Sequence, residues 1–193
     1  MRIRLAFSLA LASASLLGAQ GVRINLEAYR EPVLMDTVRQ DYELPAAPQK
    51  VYEATFKAFA ALDIPVGNTA GTAGIIGSER FHRMRSFAGD LLSKSFACGE
   101  DVTGPNANSH RIEIAVVAYV APSPERDGGT RLGLAVVAQG RAPDGPYRAP
   151  RMCASTGSLE RKLYAKIVEL TAPEFRQQRT SGAASPSFRA RRE

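Results

Sequence analysis

Two cysteines, Cys98 and Cys153, are the residues whose chemistry type and spacing restrict most narrowly. Thiols can hold a metal, exchange electrons or join to each other. Structural zinc takes four nitrogen or sulfur ligands at short spacings, and His82 and His110, the only histidines, stand at no such spacing from either cysteine. A redox pair calls for Cys-x-x-Cys, which the sequence lacks. The expected state is a Cys98–Cys153 disulfide, the ordinary fate of paired cysteines in an exported chain. It would tie the approach to a long hairpin to the start of the last helix. Closing a loop of about 55 residues contributes roughly 4 kcal/mol in the chain-entropy picture.

Other chemistry is weaker on inspection. Ser155, Thr156 and Ser158 could supply a nucleophile, but they cluster where a helix begins and where hydroxyls satisfy its first amides. A triad also needs a base held against the nucleophile. His82 is a candidate base, though a partly exposed histidine at a strand end explains it as well. Gly67, Gly71, Gly74 and Gly77 resemble a phosphate loop in composition, but no Gly-Lys-Ser/Thr follows, so they read as a turn. Asp63, Glu79, Asp90, Glu100 and Asp101 have no calcium-loop spacing. Arg83 and Arg85, with Arg80 just before them, would share a strand face and could clamp an anion; a solvated sheet edge is the plainer reading. Without Trp and with 7% aromatics, a stacking platform for bases or sugars is poorly supported. No catalytic residue, metal or cofactor is expected, and the chain reads as non-enzymatic.

These residues sit in a chain that opens like an export signal. Arg2 and Arg4 precede an apolar run over residues 5–17, and Gly18 and Ala19 provide small residues for cleavage after position 19. The run is shorter than the roughly 20 residues a membrane span needs. The sequence Leu17-Gly18-Ala19-Gln20 has the form of a lipobox with Gln where the cysteine belongs, so no lipid anchor is expected. The net charge of +6 resides in the ends. The signal holds two arginines, and residues 174–193 hold five arginines against two glutamates, while residues 20–173 carry 18 basic and 17 acidic groups. Phosphate binding by counterion release needs a clustered basic face, so nucleic acid is not an expected partner. The tail, rich in Ser, Gly, Ala and Arg, reads as disordered, with weak contact to an anionic surface as its alternative role.

The rest is one domain over residues 34–173, after a lead-in at 20–33. A strand-like stretch at 33–42 precedes a helix at 49–62, whose stripe is Val51, Thr55, Ala58, Phe59 and Leu62, widened by Tyr52 and Phe56. Pro65 marks the strand that follows as an edge, and residues 75–81 return as its partner. Residues 83–97 are the least legible. Ile112, Ile114, Val116, Ala118 and Val120 alternate, as do Leu132, Leu134, Val136 and Ala138, across a turn closed by Asp127-Gly128-Gly129. Small apolar residues on the other face (Ala115, Val117, Ala135, Val137) imply that it too is partly covered. Leu159, Leu163, Ile167 and Leu170 stripe a final helix ended by Pro173. Hairpins and one-sided helices give an α+β fold: an antiparallel sheet with two helices packed on one face.

The order strand, VYEATFKAFAALDIPV, a glycine-bearing hairpin ending GIIGSER, a second hairpin and a long last helix resembles the helix-grip domains of BamC-type outer-membrane assembly lipoproteins. That resemblance covers residues 34–170 and implies a binding or scaffold role in the cell envelope, with an envelope protein as partner. The expected function is an exported, periplasmic or secreted interaction module. The alternative is a carrier holding a small apolar ligand or lipid between the last helix and the sheet.

Overall fold

The structure is a computed structural model and describes residues 22–143 and 149–172. The export signal at 1–19 and the tail at 174–193 lie outside the described residues. Along the chain run β1 (Gln40–Leu44), α1 (Pro48–Ala61), β2 (Val66–Ala70), β3 (Ile75–Ser78), β4 (Phe81–Met84), β5 (Phe96–Ala97), β6 (Arg111–Pro122), β7 (Thr130–Arg141), β8 (Arg151–Ser155) and α2 (Ser158–Thr171). Shorter turns of helix and two-residue strands fill the intervals.

The frame is the β6–β7 hairpin, paired antiparallel over twelve residues of each strand from Arg111↔Arg141 to Pro122↔Thr130. Gly128, at φ +69, lies in the turn that joins them. Each strand is longer than any neighbour, so two short strands share each outer edge. On β6, β4 pairs with Arg111–Ile114 and β3 with Val117–Tyr119. On β7, β1 pairs with Thr130–Leu134 and β8 with Ala138–Gly140. β2 then borders β3, and β5 borders β8. The result is the expected α+β fold, an antiparallel sheet with no barrel closure.

Period-two alternation sends Ile112, Ile114, Val116, Leu132, Leu134 and Val136 to one face, where they meet Val51, Phe59, Leu159, Leu163 and Ile167 of the two helices. α1 begins at Pro48, which tolerates a first-turn position because its missing N–H would have no helical partner. The α2 start differs from the sequence reading. Gly157, at φ +76, is its cap residue and has no side chain to cap with; the two hydroxyls just before it still serve the helix start, Ser155 Oγ accepting the Gly157 N–H at 3.1 Å and Thr156 Oγ1 the Ser158 N–H at 3.4 Å.

The opposite face packs against the segment before β1. Ile24, Leu26 and Met35 bury against Ala115, Val117, Ala135 and Val137. That segment crosses the sheet out and back: Arg23–Ile24 pairs with Val33–Leu34, and the Ala28 N–H reaches the Gln139 side chain at 2.6 Å. The strand anticipated at 33–42 is broken by a helical turn at Met35–Val38, which drops Met35 into this second core before β1 begins. The anticipated strand at 75–81 is likewise interrupted between Ser78 and Phe81.

Leu26→Ala should therefore cost about 2–5 kcal/mol, the range for truncating a core leucine, measured by urea unfolding. A loss under about 1 kcal/mol would mean that the first segment lies on the sheet without completing a core.

Candidate functional site

The cysteines meet at one corner of the sheet. Their sulfurs stand 2.00 Å apart, at disulfide distance, with Cα atoms 4.2 Å apart. Both are buried. The corner is built by the pairing of Ala97 with Ala154 and of Phe96 with Ser155, which sets Cys98, just past the end of β5, opposite Cys153 within β8. Around it the hydroxyls are engaged in structure: Ser155 Oγ donates to Glu160 Oε1 at 2.6 Å, and Thr156 Oγ1 donates to the Lys94 carbonyl at 2.5 Å. Glu160 is 1% exposed, and its other carboxylate oxygen has no hydrogen-bond partner. Ser155 and Thr156 thus hold the entry to α2 and are not brought to a histidine base.

His82 lies on the opposite face of the sheet, opposite Glu113 in the strand register. Its Nε2 stands 3.9 Å from Glu113 Oε2, Arg80 lies 3.6 Å from the other oxygen, and Gln139 Nε2 donates to Glu113 at 2.6 Å. Burial lowers the His82 pKa, helped by Arg111 and Arg80 and opposed by Glu113. Arg83 and Arg85 do not make up the anion clamp that the sequence offered as the lesser alternative to a solvated edge. Arg83 lies over the rings of Phe81 and Phe87, 4.8 and 5.1 Å from their centroids, and donates to the Asp63 carbonyl at 2.6 Å. Arg85 adopts φ +66 and leaves the strand. Asp101 caps its own turn by accepting from the Thr103 N–H and hydroxyl, which lowers its pKa.

The layer between α2 and the sheet is filled by side chains without solvent exposure, among them Phe59, Ile112, Leu134, Leu163 and Ile167. A cleft among the described residues, about 760 Å³ and half-open, lies at the turn end of the long hairpin. Four parts of the chain converge there: the first turn of α1, the 71–75 connection after β2, the ends of β6 and β7, and the Met35–Arg39 turn. Met35, Ile75 and Val120 line it as apolar walls, Tyr52 and Tyr119 bring rings, and Arg39 and Arg131 are its cations. Both guanidinium groups already have partners. Arg39 contacts Asp36 and Asp41 at 2.7 Å each and lies 5.7 Å from the Tyr119 ring centroid, while Arg131 meets Glu43 at 3.4 Å. Gly74 closes one wall in the left-handed region, φ +67, where a Cβ would overlap the Val120 carbonyl oxygen. Sequence reading placed Tyr52 on the helix stripe and passed over Arg39, Tyr119 and Arg131. The available signal was a tyrosine, Tyr119, within a run of small aliphatic residues on the second face.

Among the described residues no cluster of His, Cys, Asp and Glu could hold a metal ion, and no helix is long and apolar enough to cross a membrane. No protein-family model matches the chain. No curated protein matches it. Among solved structures, TTHA0849 from Thermus thermophilus is similar over 77% of this chain and 99% of that one, at 18% identity and a TM-score of 0.26. A superposition that loose carries no argument about the site.

Replacing both Cys98 and Cys153 with Ala should lower unfolding stability by about 4 kcal/mol, read from urea curves without reductant; an unchanged midpoint would mean that the sulfurs are not joined. The depressed His82 pKa gives a second test. The folded chain takes up this proton at lower pH than the unfolded chain, so stability present above the ordinary value of 6.5 declines as pH falls from there through the folded value. His82→Gln should flatten that decline in urea midpoints recorded between about pH 7.5 and about pH 5.

Proposed function

We propose that this chain is an exported, disulfide-bonded interaction module of the cell envelope without catalytic activity. The single observation that supports binding most is the half-open cleft of about 760 Å³ at the hairpin end. Its walls come from four parts of the chain, and the β6–β7 hairpin behind it is covered on both faces, so the cleft has a stiff frame. Pre-formed concave sites on rigid elements are the usual form of recognition sites. Export is supported by the signal-like residues 1–19 and by two buried cysteines at disulfide distance, a pairing favoured in oxidising compartments. The resemblance of the order of elements in the sequence to BamC-type helix-grip domains points the same way. Against catalysis stands the engagement of the hydroxyls and His82 in separate structural contacts on opposite faces of the sheet.

The test is recovery of the full-length chain from fractionated bacterial cells followed by intact-mass analysis. A periplasmic or secreted product beginning at Gln20, with both cysteines resistant to alkylation until reduced, is expected. A cytosolic chain retaining residues 1–19, or one with two alkylatable thiols, would overturn the proposal.

A further inference from the structure

The cleft adjoins an open edge of the sheet. β2 pairs with β3 on one side and with no described strand on the other. Its residues, Val66-Gly67-Asn68-Thr69-Ala70, include neither charge nor proline and are almost all exposed. Edge strands are ordinarily guarded by charges, proline or bulges. Here Pro65 and a register break between Val66 and Thr69 guard the first part of the strand only. The regular part, Thr69 and Ala70, runs directly into the Gly71–Ala73 turn, and that turn is a wall of the cleft. Unpaired main-chain groups and a pocket for a side chain are therefore adjacent, the combination that strand addition uses: the edge supplies affinity and the pocket selects a side chain.

The charges narrow the occupant. Each guanidinium lining the cleft is already matched by carboxylates: Arg39 by Asp36 and Asp41, Arg131 by Glu43. A charged ligand group would lose water here and find no uncompensated counter-charge. Apart from the uncharged polar Gln49 and Thr72, the other walls are apolar, aromatic or small. Resting on the reading of the chain as an interaction module, we infer that the partner is an uncharged, extended polypeptide segment, added as a strand along the Thr69–Ala70 edge with one bulky apolar side chain in the cleft. A polypeptide is favoured over a free apolar molecule because only it can use the open edge.

The experiment is selection of random heptapeptides displayed on phage against the oxidised chain, followed by fluorescence-anisotropy binding of the synthetic winners. Expected winners carry one large apolar residue among uncharged neighbours, and their affinity changes less than about twofold between low and high salt. Gly71→Leu should weaken them about tenfold or more by filling the cleft. The substitution suits the site: Gly71 has no positive φ, and a Cβ there would sit 3.5 Å from the Tyr52 hydroxyl. Methylating alternate amides of the same peptides should cost about tenfold with the protein unaltered. Equal binding of methylated peptides, or of peptides to the Gly71→Leu chain, would overturn the inference while leaving an interaction module in place. Winners dominated by charged residues would do the same. Failure of any peptide to enrich would overturn the inference, while the proposed function beneath it stands or falls on the fractionation and mass test.

Discussion

A twelve-residue hairpin with apolar side chains on both faces imposes the constraint from which the rest of this molecule follows. Strands β6 and β7 place Ile, Val and Leu on one side and Ala and Val on the other. Neither side can be left to water, since burying apolar surface stabilises by about 25 cal/mol per Å². The larger side chains leave room for helices to pack, and α1 and α2 cover them. The smaller ones leave room only for a thin layer, which the out-and-back segment of residues 22–35 provides through Ile24, Leu26 and Met35.

The length of that hairpin also explains the division of its edges. No other strand spans it, so β3 and β4 share one side and β1 and β8 the other. Where the neighbours change over, the chain turns away and local contacts take charge. Beside β4, Arg83 packs on two phenylalanines instead of reaching an anion. At the corner beyond β8, the cysteine pair joins two short strands that would otherwise have little to hold them. At the opposite end, the start of α1, the 71–75 connection and the Met35–Arg39 turn meet around the hairpin, and the space between them is the cleft.

Electrostatics sharpens the distinction between frame and site. His82, Arg80 and Glu113 are drawn together on the second face because β4 and β6 are in register; partial burial and neighbouring arginines lower the histidine's pKa against the pull of Glu113. Asp90 is shifted the same way for a different reason: hydrogen bonds from Lys162 and Lys94 keep its carboxyl below the usual range and pin the 86–91 turn to α2. In the cleft, charges cancel in pairs, leaving shape and apolar contact to discriminate.

Much of this frame was legible in the residues. Alternation over 112–120 and 132–138 specified the hairpin and its faces, the 3.6-residue stripes of Val51, Phe59, Leu163 and Ile167 specified two one-sided helices, and the two cysteines of the chain pointed to the pair that meets at disulfide distance. Each is a local or counting argument that needs no knowledge of neighbours. Covering of the second face was legible too, in Ala115, Val117, Ala135 and Val137; the break at Met35, the cap position at Gly157 and the segment that does the covering were decided by tertiary structure, because packing against Ala135 and Val137 outweighed the extended preference of residues 33–42. The cleft belongs wholly to that second class. Arg39, Tyr52, Tyr119 and Arg131 are far apart in sequence and share no pattern; only the layering of four segments around one projecting turn makes them neighbours.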